Sequence, residues 1–143
     1  MYKKVLLPVD LNHESSWRKA LPTALANCRM FNAPLHVVMV MPDFHMPLVA
    51  GYFPEDFLAK AHAATEQALA KFVDEHVPQD VTVTHETIVG GTVYARIIES
   101  AGRVGADMIV MAAYRPDIKD YLLGPNADRV VRHAGQTVVV VRD

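Results

Sequence analysis

Short apolar runs alternate along this chain with segments of helical periodicity, and this alternation constrains the fold more than any other feature. Each run is continuous and bounded by Asp, Pro or Gly, and the runs cover residues 5–7, 35–41, 88–89, 108–111 and 138–141. Such runs are typical of parallel strands that are buried on both faces. The alternation predicts one α/β domain, residues 1–143, with five parallel strands and four helices on both faces of the sheet.

Apolar side chains spaced three and four residues apart predict where the helices lie. The first is expected from about Trp17, with Ser15 or Ser16 as its cap and a start that Pro22 delays or kinks. The second helix is expected at about residues 54–76, with an inner face of Phe57, Leu58, Ala61, Ala64, Ala68, Leu69, Phe72 and Val73. The third helix is expected to follow Gly90 and Gly91, with Thr92 as its cap. The inner faces of the third and fourth helices are expected to carry Ile97, Ile98 and Ala101, and Ala127, Val130, Val131 and Ala134.

Two of the predicted strands have the character of sheet edges. Val81 and Val83 alternate with threonines before the third run, which suits an edge strand partly open to water. The last strand, Thr137–Val141, is uncharged, and in the common strand orders 2-1-3-4-5 and 3-2-1-4-5 it lies at an edge. An uncharged apolar edge favours pairing with a second copy, so we expect a homodimer through this strand.

Composition narrows the classes of partner. Contents of 51% hydrophobic and 21% charged residues are typical of a folded globular protein. A net charge of −2 without a long block of one sign argues against nucleic acid as a partner. The apolar stretch at residues 5–9 is too short for a signal peptide or a membrane span. We therefore expect a cytoplasmic protein without a membrane partner.

Cysteine and histidine usage suggests no redox or metal chemistry. The single cysteine, Cys28, falls on the apolar stripe of the first helix, where a thiol acts as a small hydrophobe. The seven histidines lack metal-ligand spacing, so no metal site is expected among His13, His36, His45, His62, His76, His85 and His133. Residues 41–53 have neither helical nor strand period, and their two prolines and one glycine predict a loop.

The residues that follow the strands are the candidates for a binding site, because open parallel sheets bind ligands outside the carboxyl ends of their strands. The first strand ends in Leu7-Pro8-Val9-Asp10, and Asp10 either contacts a ligand there or caps the following turn. After the fourth strand, a loop containing Arg115 reaches Gly124 and leads directly into the last helix. A glycine beside a helix N-terminus favours phosphate binding, although Gly-Pro-Asn is also an ordinary way to begin a helix.

Several segments along the chain match a known family pattern. They are PVD at residues 8–10, AL at 20–21, LHVVMVMP at 35–42, VGG at 89–91, ADMIVMAAYRP at 106–116 and LLGPNADRVVRHAGQTVVVVR at 122–142. In these segments, which span essentially the whole chain, the sequence resembles the universal stress protein family, in particular its short-loop, ATP-binding branch.

The resemblance implies a fold, an assembly and a ligand. The fold is a flavodoxin-like three-layer sandwich, like that of the adenine nucleotide α-hydrolases, with strand order 3-2-1-4-5. The assembly is a dimer paired through the fifth strand, and the ligand in many members is ATP. ATP, ADP or AMP is therefore the implied cofactor, with Mg²⁺ accompanying ATP.

The same resemblance implies a role for each candidate residue. Asp10 would contact the adenine or ribose edge, and Arg115 would contact phosphate. Apolar walls would come from Pro8, Val9 and Val40, the floor beneath ribose and phosphates from Met111 and Ala112, and a backbone phosphate cradle from Gly124, Asn126 and Ala127.

Three positions depart from the family's ATP motif, which reads Gly-x-x-Gly, nine residues, then Gly-Ser or Gly-Thr. Ala112 replaces the first glycine, Arg115 replaces the second with eight residues before Gly124, and Pro125 replaces the hydroxyl residue. Proline lacks both a hydroxyl and an N–H, and each lost bond to a charged phosphate is expected to cost roughly 1.5–3 kcal/mol. The Arg115 guanidinium is expected to recover part of this loss.

Two functions stay open on the sequence. The first is a dimeric, adenine-nucleotide-binding stress-response regulator with an unidentified protein partner and at most very slow ATP hydrolysis, because no general base can be named. The second is a dimeric interaction module that has lost phosphate binding, as Pro125 suggests. A phosphoacceptor receiver is disfavoured because Asp10 follows the first strand without an acidic cluster. A P-loop NTPase is excluded by the lack of Gly-Lys-Ser or Gly-Lys-Thr.

Overall fold

Five strands and four α-helices alternate along the residues that the computed structural model describes, which are 1–41, 56–113 and 123–142. The strands are β1 (Val5–Pro8), β2 (Leu35–Met41), β3 (Val83–Val89), β4 (Met108–Ala112) and β5 (Thr137–Val141). The helices are α1 (Ala20–Phe31), α2 (Phe57–His76), α3 (Val93–Val104) and α4 (Asn126–His133), and a short 3-10 turn, Glu14–Ser16, precedes α1. Arg115 and nearly all of the loop expected at residues 41–53 lie outside the described residues.

The strands form one parallel sheet of order β3-β2-β1-β4-β5. In the centre, Val5 of β1 lies between Leu35 of β2 and Met108 of β4. This confirms the predicted order 3-2-1-4-5. It also confirms that β3 and β5 are edge strands, as their sequences predict.

Side chains of each strand alternate between two apolar layers, which makes the fold a three-layer sandwich. Leu7 and Val9 pack in the layer that includes α1 and α2, whereas Leu6 packs in the layer that includes α3 and α4. Every residue of β1, β2 and β4 is buried, which explains why their sequences are apolar apart from His36. The three-layer α/β class predicted from the alternation is therefore confirmed.

Glycine is required where β3 turns into α3. Gly90 and Gly91 both have φ of 81°, in the left-handed region that side chains disfavour. A Cβ on Gly91 would lie 2.6 Å from Arg96 Nε, so a larger residue there would displace this arginine. The Arg96 Nε–H donates to the Gly90 carbonyl at 3.2 Å and so holds the turn closed.

The start of α1 differs in part from its prediction. The N-cap position is Lys19, which makes no side-chain cap bond, so the expected cap by Ser15 or Ser16 is wrong. The Ser16 hydroxyl instead lies 2.9 Å from the Asp10 carbonyl and 2.7 Å from the His13 carbonyl. Pro22 lies in the first turn of α1, where a missing N–H breaks no intrahelical bond, and the helix starts later than Trp17 as expected.

The cap of α3 comes from a different helix than expected. Thr92 occupies the N-cap position in an extended conformation, but its side chain makes no cap bond. The Asn126 Oδ1 instead accepts the Tyr94 N–H at 2.9 Å. Asn126 is 6% exposed, so a buried side chain at the start of α4 caps α3.

The inner faces of two helices are narrower than predicted. In α2, all of which is described, Leu69, Phe72 and Val73 are buried, whereas Ala64 and Ala68 are exposed. The reason is that α2 packs mainly over the edge strand β3, which offers less apolar surface than the sheet centre. In α4, Ala127 and Val130 are buried, but Val131 is 52% exposed.

A polar cluster joins α3 to the sheet. The Glu86 carboxylate of β3 accepts hydrogen bonds from the Ser100 hydroxyl, at 2.6 Å, and from the Arg103 guanidinium. Burial acts to raise the pKa of Glu86, but the bonds from Arg103, Ser100 and His36 outweigh it and lower the pKa to about 2. His36 Nε2 lies 3.3 Å from the same carboxylate oxygen, yet burial lowers the pKa of His36. His36 is therefore neutral near pH 7 and structural.

Candidate functional site

The order of strand addition reverses at β1, which creates a crevice at the carboxyl ends of β1 and β4. From β1 the chain adds β2 and β3 on one side, and β4 then joins β1 on the other side. Leu6 of β1 lies opposite Ile109 of β4, and the continued register brings Asp10 and Ala113 to the same end of the sheet. The strand order therefore places the switch point at β1, and the nucleotide site predicted there stays a prediction.

The side chains expected to form apolar walls and floor belong to the core. Val9 and Ala112, 0% and 8% exposed, pack in the α1 and α2 layer. Val40, Met111 and Ala127, all 4% exposed or less, pack together in the α3 and α4 layer. Pro8 is also buried. Because these side chains are buried in the core, a ligand at the strand ends could contact mainly the backbone of these residues.

Asp10 caps the turn that follows β1. Its Oδ1 accepts the Asn12 N–H at 3.0 Å, and its Oδ2 lies 3.0 Å from His13 Nδ1. The Asp10 N–H donates to the Ser16 hydroxyl at 2.9 Å. Asp10 is 1% exposed, so a ligand can reach its carboxylate only if the residues that cover it move. From the sequence, Asp10 is expected either to contact a ligand or to cap the following turn, and the structure shows it capping the turn.

The first turn of α4 contains the residues expected to cradle phosphate. Gly124 is buried, and Pro125 is exposed at the N-cap position with φ of −76° and ψ of 7°. The Asn126 N–H donates to the Leu123 carbonyl at 2.9 Å. Because proline has no N–H, Ala127 and Asp128 carry the next amides that lack an intrahelical acceptor.

A surface cavity of about 330 Å³ lies beside this turn, at the carboxyl ends of β4 and β5. Among its lining residues, sequence reasoning named only Ala127 as a site residue. The lining consists of Ala113, Ala127, Asp128, Val131, Val140 and Arg142. Arg142 follows β5 as Ala113 follows β4, so the rule that parallel strands end at the same edge could have found both. The cavity carries one acidic and one basic side chain.

Cys28 is buried, as its position on the apolar stripe of the first helix predicts. It is 2% exposed within the core, and burial raises the pKa of its thiol to about 11. In the described ranges, no three His, Cys, Asp or Glu side chains gather closely enough to hold a metal ion. No helix in those ranges has the length and apolar character that crossing a membrane requires.

Comparison with known proteins gives matches along the whole chain. The model of the universal stress protein family matches residues 1–142. Universal stress protein G of Shigella flexneri is 30% identical over 145 residues, which cover 99% of this chain and all of that protein. The protein of the same name in Salmonella typhimurium is 26% identical over 157 residues, with the same coverage of both chains.

Solved structures of the same architecture include complexes with nucleotides. Universal stress protein UspA from Lactobacillus plantarum has a TM-score of 0.76 at 23% identity, over 99% of this chain and 98% of that one. A universal stress protein in complex with cAMP has a TM-score of 0.67 at 22% identity, over 99% and 97%. The protein from Archaeoglobus fulgidus in complex with dAMP has a TM-score of 0.63 at 18% identity, over 97% of each chain. These structures share the fold, and the family match over residues 1–142 leads to one conclusion: the chain belongs to the universal stress protein family.

Proposed function

We propose that this chain is a stress-response regulatory protein that binds an adenine nucleotide in the crevice at the carboxyl ends of β1 and β4. The observation that carries the proposal is the position of α4, whose first turn brings the Ala127 and Asp128 amides beside a cavity at that end of the sheet. A helix N-terminus attracts phosphate through its free amides and its dipole. Adenine is the base we propose because two proteins of this fold are in complex with cAMP and dAMP.

The phosphate site favours a ligand with few phosphates. Pro125 offers no N–H, and the Asn126 N–H already donates to the Leu123 carbonyl. The Asp128 carboxylate lines the same cavity and repels additional negative charge. We therefore propose AMP as the preferred ligand, with weaker binding of ADP and of ATP with Mg²⁺.

Binding in this account proceeds without appreciable catalysis. Phosphate would lie against the Ala127 amide, with Gly124 allowing close approach and Arg115 adding a charge-assisted bond. Asp10 would accept a hydrogen bond from the adenine amino group or a ribose hydroxyl once uncovered. No general base can be named from the sequence, and any hydrolysis of ATP is expected to be very slow.

Dimerisation through β5 is the second part of the proposal. β5 lies at the sheet edge, and its Val140 is 37% exposed. Val140 and Arg142 also line the cavity beside α4. Binding of a nucleotide there would therefore alter the surroundings of two residues at the proposed dimer contact. A solution mass equal to one chain would contradict this part.

Thermal unfolding with AMP, ADP and ATP tests nucleotide binding. Ligand at about a hundred times its Kd stabilises the folded state by about 2.7 kcal/mol, so Tm should rise, and most with AMP. GMP is the matched control, because it carries the same phosphate on a different base. The absence of a Tm shift with every adenine nucleotide at millimolar concentration would contradict the proposal.

One observation favours a second function, that of an interaction module without nucleotide. Both carboxylate oxygens of Asp10 already have partners, and the residue is almost completely buried. In this alternative the crevice is permanently closed by its own side chains, and the protein acts through its dimer surface alone. Extraction of nucleotide-free protein that stays unresponsive to AMP would favour this alternative.

A further inference from the structure

The outer edge of β3 can be identified from the bonds at its two ends. The Leu35 N–H donates to the Thr82 carbonyl at 2.8 Å, and the Gly90 N–H donates to the Met41 carbonyl at 2.9 Å. Even-numbered residues from 82 to 90 therefore direct their backbone N–H and C=O groups toward β2. Because alternate residues of a strand point to opposite edges, Val83, His85, Thr87 and Val89 present theirs to the outer edge. Such groups are a template for pairing with another chain.

Two side chains of α2 occupy the backbone groups of Thr87. The Glu66 Oε1 accepts the Thr87 N–H at 2.6 Å. His62 Nε2 lies 3.3 Å from the Thr87 carbonyl, and because a carbonyl only accepts, this nitrogen carries the hydrogen. His62 and Glu66 are one helical turn apart. Together they supply the donor and the acceptor that a neighbouring strand would supply.

The fully buried apolar side chains of α2 lie in its second half. The buried residues of α2, which are Leu69, Phe72 and Val73, all follow Glu66. The side chains of His62 and Glu66 are 44% and 38% exposed. His62 and Glu66 therefore add hydrogen bonds to β3 in the part of α2 whose apolar side chains are at most half-buried.

We propose that His62 and Glu66 close the edge of β3 against strand addition by a second copy of this chain. The strand that they exclude is β5 of that copy, because Thr137–Val141 is uncharged and lies at an open edge. A contact between β3 and β5 joins unlike surfaces, and such contacts form open chains unless the rotation between copies happens to close a ring. Closing one edge leaves β5 to pair with β5 and limits assembly to a closed dimer.

The double variant His62→Ala with Glu66→Ala tests the proposal by sedimentation velocity over a range of concentrations. We expect species larger than those of the unaltered protein, increasing with concentration. The matched control is Lys71→Ala with Glu75→Ala, which removes another i,i+4 pair of α2 whose side chains are 76% and 53% exposed. Sedimentation equal to the unaltered protein at every concentration would overturn the proposal, and so would equal association of both double variants.

Amide hydrogen exchange of Thr87 tests the contact itself in single variants. Glu66→Ala should speed exchange of the Thr87 amide about tenfold or more, because a bond to a charged acceptor is lost. Glu66→Gln keeps a side-chain oxygen as acceptor and should restore most of the protection. Exchange that is unchanged in Glu66→Ala would overturn the proposal even if the double variant failed to fold.

Discussion

Pro125 determines how many hydrogen-bond donors the start of α4 can offer to phosphate. It occupies the N-cap position and is exposed, so its ring does not contribute to the core. A serine at this position would supply a hydroxyl and an N–H, and serine is also a favourable N-cap residue. The helix itself therefore does not require proline here. In the proposed site, Pro125 would act mainly on the ligand, by removing donors from the cradle.

Pro125→Ser should tighten AMP binding by about tenfold to a hundredfold, because one or two bonds to a charged group are regained. Isothermal calorimetry of both proteins with AMP measures the change. Pro78→Ser is the control, since Pro78 is an exposed proline in the connection between α2 and β3. An unchanged affinity, or binding seen only in the variant, would instead favour the interaction module.

At the scale of elements, α3 and α4 are joined by the Asn126 side chain and by the Tyr94 ring. The Asn126 Oδ1 caps α3 by accepting the Tyr94 N–H, while the Tyr94 ring stacks on His133 of α4 at 5.4 Å between centroids. The Arg129 guanidinium lies 5.8 Å from the centroid of the same ring. The start of α4 is therefore fixed by α3, and this contact holds the proposed phosphate site in place.

Asn126→Ala should lower the free energy of unfolding by about 1 kcal/mol, the usual cost of losing a side-chain cap. Thr92→Ala should cost under about 0.5 kcal/mol, because the Thr92 side chain makes no cap bond. Urea denaturation of both variants measures the difference, and Asn126→Asp, which keeps the acceptor, should recover much of the loss. A larger cost for Thr92→Ala than for Asn126→Ala would contradict this assignment of the cap.

The sequence predicts elements better than contacts, and α3 shows why. Its position follows from Gly90, Gly91 and the apolar spacing at Ile97 and Ala101, which are local signals. Its cap comes from Asn126, 32 residues from Tyr94, and no local pattern indicates that bond. The same holds for Glu66 and Thr87, 21 residues apart, which meet only because α2 folds over β3.

For the candidate site too, the sequence predicts the position in the sheet but not the contacts of its side chains. The switch point at β1 follows from strand order, and strand order follows from the family pattern and the apolar runs. Asp10 is bonded to the Asn12 N–H, the His13 ring and the Ser16 hydroxyl, and these residue types are equally typical of an exposed loop. The inward position expected for Val131 is wrong because α4 packs near the sheet edge, where its second turn meets a surface cavity instead of the core.

At the scale of the whole molecule, the two edge strands of the sheet, β3 and β5, differ in how their edges are covered. β3 is covered by α2, with Thr87 held by His62 and Glu66, whereas β5 is uncharged and exposes Val140. The cavity beside α4 lies at the carboxyl ends of β4 and β5, where Val140 and Arg142 form part of its lining. A ligand bound beside α4 would therefore lie next to the edge that is proposed to pair.

A crystal structure of the protein grown with millimolar AMP would show whether the nucleotide occupies the proposed site. We expect AMP at the carboxyl ends of β1 and β4, with its phosphate against the Ala127 amide and its adenine or ribose within hydrogen-bond distance of Asp10. A crevice that stays filled by its own side chains, with Asp10 still held by Asn12 and His13, would contradict this expectation.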